Sequence, residues 1–329
     1  AGLMEPWDGP AALAFTDGAQ VGAMLDRNGL RPARYTITRQ GFMAFASEAG
    51  VLEFDPTDVA EKGALRPGQM IVVDTEKKRV LKNGEIKTLC ARRQPYRRWV
   101  EENRISLRGF YGSVSSFTPD FEGLLFRQKL FGYTREDLQM IIEPMASSGY
   151  EPVGSMGADT PLAVLSDRNP LLYGYFKQLF AQVTNPAIDP VREELVMSLM
   201  TFIGNPGNIL TELPGHSRLI KLVHPILSNE DLVRLRNLDV AGFRSRVVPM
   251  GFPAGGSGSR LAAAVEGLCD RSEQALAEGD SLLVLSDRDL PEGTAPIPAL
   301  LAVSAVNQHL ARKGRRTSAG LIVETGEAR

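Results

Sequence analysis

The sequence predicts an α/β chain in two parts: a β-rich opening, then a longer α/β stretch with a parallel sheet of the partial β/α-barrel kind. Two observations carry this reading. Up to about residue 90, short apolar runs are separated by turn signals such as Asp17-Gly18, Asn28-Gly29 and Gln40-Gly41. After about residue 121, runs with helical spacing alternate with buried-strand runs, the pattern of β/α units. A chain of 329 residues, 43% hydrophobic and 23% charged, has material for two domains or one large α/β unit.

In the first part, residues 13–15, 21–25, 35–38, 42–46 and 70–74 read as short strands. Asn28-Gly29 is the preferred tight-turn dipeptide, because both positions tolerate positive φ. Residues 66–90 read as a further ribbon, with Asn83-Gly84 as a second turn of that kind and Cys90 inside it. Residues 91–120 change character: Arg92, Arg93, Arg97 and Arg98 surround Pro95-Tyr96, and Gly109, Gly112 and several serines follow. They read as a solvated linker, giving expected boundaries of 1–95, 96–120 and 121–329.

In the second part, Thr134 with Asp137 three residues on is a helix start, and Ile141 and Ile142 carry its apolar face. Residues 161–166 predict a strand and 170–180 a helix. From Phe180 to Leu210 the pattern is strand, stiff loop and helix. Asn185-Pro186 and Asp189-Pro190 hold the loop extended. Asp189 caps a helix over 190–203 carrying Val191, Leu195, Leu199, Phe202 and Ile203, which Gly204-Asn205-Pro206 ends. Asn229 opens a further helix, and Ser259 caps a long one with Leu261, Val265, Leu268, Ala275 and Leu276 on one face and Gly279 at its end. Residues 281–286 form a buried strand, 296–312 a helix and 319–323 the final strand. Val164-Leu-Ser-Asp-Arg168 returns as Val284-Leu-Ser-Asp-Arg288, each expected at the C-terminal end of a strand, the edge where α/β sheets build sites. The bland expectation is that Asp caps the next helix and Arg pairs locally.

Composition excludes several classes. A net charge of −2 gives no electrostatic case for nucleic acid or an anionic membrane. Cys90 and Cys269 are too far apart for a spaced metal motif, and His216, His224 and His309 form no His-x-x-x-His pair. No apolar run approaches ~20 residues, and no signal peptide is evident, which favours the cytoplasm. Gly255-Gly-Ser-Gly-Ser259 precedes a helix but lacks the ending of a P-loop. Both ends read as cuts in a longer polypeptide.

Specific motifs then name a family. Glu5-Pro-Trp-Asp-Gly-Pro, Thr16-Asp-Gly, the run Gly22 to Tyr35, Leu65-Arg-Pro-Gly-Gln-Met70 and Pro95-Tyr96 with Trp99 resemble the closing part of a class II glutamine amidotransferase domain. Within that class the resemblance is to glutamate synthase large (alpha) subunits. Gly154-Ser-Met-Gly-Ala-Asp-Thr-Pro161, Val183-Thr-Asn-Pro186, His216-Ser-Arg-Leu, Pro225 to Leu232 and Pro296 to Leu301 are similar to that family's central domain. Ala187, Gly215, Ser217 and the glycine-rich 251–259 depart from its pattern.

The resemblance implies an N-terminal-nucleophile amidotransferase tail followed by a central domain truncated at its C-terminus. It implies a parent that makes two glutamates from glutamine, 2-oxoglutarate and reductant. The parent would hold FMN and a 3Fe-4S cluster, fed by an NADPH-oxidising, FAD-bearing small subunit or by ferredoxin. The expected partners are the remaining amidotransferase and synthase domains. No catalytic, cofactor or metal residue is expected in this segment, and alone it is expected to be inactive. Carried over residue by residue, Met156, Thr184 and Asn185 line the entrance of an ammonia passage. A polarizable thioether beside a hydroxyl and an amide suits a dry path for a neutral molecule. A non-catalytic docking scaffold, or a small nucleotide-binding enzyme using 251–260, are the alternatives.

Overall fold

The computed structural model describes residues 10–107, 121–150, 152, 164–167, 170–176, 197–208, 210–238, 240 and 242–328. The chain folds as two compact units, residues 3–98 and 99–329.

The first unit is built on two antiparallel sheets. The strands are β1 (Ala12–Thr16), β2 (Gln20–Leu25), β3 (Arg34–Thr38), β4 (Met43–Ala46), β5 (Val59–Ala64), β6 (Met70–Asp74) and β7 (Arg79–Lys82). One sheet runs β1-β2-β6-β7 and the other β4-β3-β5. The expected strands are present. Asn28-Gly29, however, links the two sheets instead of closing a hairpin. Only Gly29 takes positive φ there (63°), with Pro67 lying where a Cβ would stand. The Asp26 carboxylate gathers the Asn28 and Gly29 amides at 2.8 and 3.2 Å, an Asx-type turn.

The 66–90 ribbon needs correction. β6 and β7 do pair, but their turn is 75–78, where Asp74 accepts from the Lys77 amide and Lys78 is left-handed. Asn83-Gly84 opens helix α1 (Asn83–Ala91) instead. Glu85 sits in its first turn and pairs with Arg79, and Ile86 is buried, so a tertiary anchor and the helix dipole override the dipeptide's turn preference. Cys90 therefore sits exposed near the end of a helix, not in a ribbon.

Residues expected as linker carry helix α2 (Tyr96–Asn103) and strand β8 (Ile105–Ser106). β8 joins the second unit's sheet β8-β10-β9, with β9 (Thr201–Ile203) and β10 (Ile220–Leu222). The helix expected to reach residue 203 is thus overturned at its C-terminal end: 201–203 pair with 220–222. Thr, Phe and Ile favour a pleated strand. Residues 190–196 lie outside the described ones.

Helix α3 (Leu124–Leu130) precedes the helix predicted from Thr134. Its capping box is present: the Asp137 amide donates to Thr134 Oγ1 at 3.1 Å and the Thr134 amide to Asp137 Oδ2 at 2.8 Å. This helix, α4, opens at Arg135–Asp137, widens into a π segment over Leu138–Ile142 and returns to α geometry over Glu143–Ser148. Pro144 has no N–H for the usual α bond and would press on the preceding turn, which accounts for the widening. The expected strand at 161–166 is not seen in its described part, where Val164 and Leu165 lie in an exposed turn. The expected helix at 170–180 is only a short 3₁₀ turn, Leu172–Tyr175, in its described part.

The C-terminal third is the clearest α/β element. A parallel sheet orders β11 (Ser245–Pro249), β13 (Leu282–Ser286) and β15 (Gly320–Glu324), joined through helices α6 (Ser259–Ala277) and α7 (Ala299–Arg312). Strands β12 (Gly251–Pro253) and β14 (Thr294–Pro296) pair beside it. Ser259 is the first helical residue of α6; Gly258 precedes it at the cap position. Every residue of β13 is buried. Leu283 and Leu285 face a core with Leu268, Ala302, Val306 and Leu310. Leu282 and Val284 face another with Ile220, Leu235 and Phe243. A strand covered on both faces must be apolar throughout, as its sequence is. The second core also holds Leu232 and Leu235 of the helix Asn229–Arg236, here α5, capped by Ser228. Among the described residues no helix is long and apolar enough to cross a membrane.

Candidate functional site

Met156, Thr184 and Asn185 lie outside the described residues. The described feature with most site-like chemistry is the C-terminal edge of the parallel sheet, where β13 and β15 end side by side. Beyond β13 come Asp287, Arg288, Asp289 and Leu290, and beyond β15 come Thr325, Gly326 and Glu327. With Phe126, Arg127, Leu130 and Phe131 from α3 and its end, most of these border a cavity of about 630 Å³.

Three acids are buried at this edge: Asp287 (5% exposed), Glu324 (7%) and Glu327 (8%). Each is held. Ser286 Oγ donates to Glu324 Oε2 at 2.5 Å, Arg236 of α5 reaches the same oxygen, and Arg288 Nε lies 3.1 Å from Oε1. That last contact is too poorly aligned for a hydrogen bond and acts through charge. Asp287 Oδ2 takes the Thr325 hydroxyl at 2.5 Å and Oδ1 the Gly326 amide at 3.0 Å. Glu327 Oε2 accepts from the Ala299 amide at 2.8 Å, supplying the acceptor that this first-turn N–H of α7 lacks within the helix. Burial pushes the Asp287 carboxyl above its ordinary range. The two donors oppose the rise, and Glu327 and Glu324 add to it.

Val284-Leu-Ser-Asp-Arg288 therefore ends a strand at the edge, as expected, whereas residues 164–167 lie in an exposed turn. The second copy lies between two parallel strands, β11 and β15, whereas the described residues of the first, 164–167, belong to no strand. Asp287 does not cap a helix; it ties the end of β13 to the end of β15. Arg288 does not pair locally: it reaches Glu324 at the end of the neighbouring strand and donates to Asn229 Oδ1 of α5 at 3.2 Å. Sequence reasoning misses Glu324 and Arg236. An acid directly after the apolar run Leu321-Ile322-Val323 is the available signal.

The donor set does not fit an iron–sulfur cluster, which takes several thiolates. Cys90 is exposed on α1 in one unit and Cys269 buried on α6 in the other, with burial raising its thiol. Among the described residues no three His, Cys, Asp or Glu side chains converge as metal ligands. His216 and His309 are engaged with the Thr211 carbonyl (3.1 Å) and Glu273 (2.7 Å).

Comparison with known proteins assigns both units. A family profile described as glutamine amidotransferases class-II matches residues 1–99, and one described as glutamate synthase central domain matches residues 126–329. The chain is 47% identical over 327 residues to the glutamate synthase [NADPH] large chain of Bacillus subtilis, covering 99% of this chain and 21% of that one. It is 46% identical over 330 residues to ferredoxin-dependent glutamate synthase 2 of Synechocystis, with coverage of 99% and 21%. To the chloroplastic ferredoxin-dependent glutamate synthase 2 of Arabidopsis thaliana it is 49% identical over 330 residues, with coverage of 99% and 20%. The chain spans about a fifth of the length of these relatives. With two family profiles in tandem, one of them covering most of the chain, the chain belongs to the glutamate synthase family.

Proposed function

We propose that this chain is the connecting middle of a glutamate synthase large subunit, joining the glutaminase and FMN synthase domains and walling part of the ammonia passage between them. One observation carries the reading: an amidotransferase match over 1–99 is followed on the same chain by a central-domain match over 126–329. The proposed division is 1–95, a connecting stretch over 96–120 that carries α2 and β8, and 121–329. The parent would convert glutamine and 2-oxoglutarate, with reductant, into two glutamates in the cytoplasm. FMN and a 3Fe-4S cluster would be held by residues other than the two cysteines here, and a small NADPH-oxidising subunit or ferredoxin would supply electrons.

In this role the chain contributes shape. Met156, Thr184 and Asn185 are the residues we assign to the passage entrance, an apolar sulfur beside a hydroxyl and an amide. A class II nucleophile is a cysteine whose own α-amine serves as base. Cys90 and Cys269 are internal, so neither carries one. Incubating this 329-residue chain with glutamine tests that part of the reading. Ammonia release at the buffer rate is expected, and release well above it would overturn the proposal that the segment is silent.

A further inference from the structure

We propose that Asp287 is a protonation-dependent latch: as a neutral carboxyl it holds residues 325–328 against the sheet, and on ionisation it releases them toward the adjoining cavity.

Several side chains fasten the segment. Asp287 takes the Thr325 hydroxyl and the Gly326 amide; Glu327 caps α7 at Ala299. Tyr173 Oη donates to the Glu327 carbonyl at 3.1 Å, and Tyr133 Oη to the Ala328 carbonyl at 2.9 Å. Gly326 lies so close to the Phe131 ring that a Cβ would sit 2.5 Å from it, so the segment also closes the cavity wall. Asp287 lies just past the end of β13, where its amide donates to the Glu324 carbonyl at 3.1 Å and leaves the side chain to hold the segment.

Burial at the sheet edge sets the direction, and the neighbouring charges add to it. Glu324 and Glu327 face Asp287 from β15 and the segment after it, and Asp289 follows on its own loop. Arg288, beside it, is drawn to Glu324, and Arg127 of α3 lines the cavity with its Nη1 donating to the Glu122 carbonyl at 2.9 Å. An Asp287 anion is thus opposed by Glu327 and, less strongly, by Glu324, whose charge Arg236 of α5 and Arg288 partly balance. When neutral, Asp287 keeps both contacts: Oδ1 still accepts from Gly326, and Oδ2 can donate to the Thr325 hydroxyl. When ionised, it gains by reaching water in the cavity it already borders. The equilibrium between seated and released segment then shifts with pH. The sign follows from the raised carboxyl. The seated state binds the proton more tightly, so its advantage is full at low pH and declines as pH rises above the ordinary carboxylate value.

Amide hydrogen exchange on the full chain, followed by NMR from about pH 4 to 8 and corrected for the intrinsic rate, tests this. Protection at Gly326 and Ala299 is expected to fall together by about tenfold in one step, with the Asp287 carboxyl carbon titrating at the same midpoint. D287N should keep the segment seated and abolish the step, while E327Q should weaken protection at Ala299 and leave the Gly326 step in place. Flat protection in the unsubstituted chain, or a step that survives D287N, overturns the latch. If D287N does not fold, the carboxyl titration decides: an unshifted midpoint without a protection step overturns it, a shared raised midpoint supports it.

Discussion

His309 of α7 meets Glu273 of α6 at 2.7 Å, Nε2 to Oε2, and Lys313 one helical turn on approaches the same carboxylate at 3.5 Å. The pair bridges the two helices that cover one face of the parallel sheet, beside a shared core of Leu268, Val306 and Leu310. The hydrogen bond from His309 holds the Glu273 carboxyl below its ordinary value, with Lys313 adding to the effect. A lowered carboxylate contributes stability that is present above its unfolded value of 4.5 and lost as pH falls through the folded one. Glu273→Gln is therefore expected to lower the melting temperature near neutral pH and to flatten its dependence on pH below 4.5. Thermal unfolding across pH checks this; an unchanged acid limb would remove the bridge from the account.

Leu283 and Leu285 are fully buried on the central strand and point into the layer formed by α6 and α7. Leu283→Ala or Leu285→Ala removes apolar contact and leaves a void between a strand and two helices that cannot both close on it. A loss of about 2–5 kcal/mol is expected from denaturant titration of the second unit's transition. Leu210→Ala, at an 87% exposed side chain, should cost less than about 0.5 kcal/mol.

Gly204 follows β9 with φ of 133°, and a Cβ there would lie 2.8 Å from the Phe243 ring and 3.2 Å from Leu219. Backbone strain and a steric conflict with a buried ring act together. Gly204→Ala should cost on the order of 1–3 kcal/mol. The companion change Phe243→Leu should recover part of the steric share, and a strictly additive pair would show that strain alone is at work.

Thr134→Ala removes one half of the capping box at the start of α4 while leaving Asp137 able to accept from the backbone. A loss of about 0.5–2 kcal/mol in local stability is expected. Exchange of the Asp137 amide, which donates to Thr134, reports it without requiring global unfolding.

Legibility follows the range of the forces involved. The buried strand 282–286, the helix capped at Thr134 and the two long helices that flank the sheet are readable, because periodicity and caps are local. Asn83-Gly84 misleads because an anchor at Ile86 and a charge pair with Arg79 outweigh a dipeptide preference. The end of the 190–203 pattern misleads because 201–203 find a partner in 220–222, a contact no window of sequence contains. At the sheet edge, the repeated Leu-Ser-Asp-Arg draws attention to Asp287, yet its partners Thr325 and Gly326 lie 38 and 39 residues away. The residues assigned to the ammonia passage rest on resemblance to the family.

Coupling in the full-length parent tests the proposal that this chain walls a passage for ammonia. Glutamine consumed, glutamate formed and ammonia released to bulk are measured together for the parent and for Asn185→Leu, under saturating 2-oxoglutarate and reductant. Two glutamates per glutamine and no free ammonia are expected in the parent, with ammonia escaping as glutamate yield falls in the variant. Unchanged stoichiometry in Asn185→Leu, and likewise in Thr184→Leu, with glutamine hydrolysis intact, would contradict it.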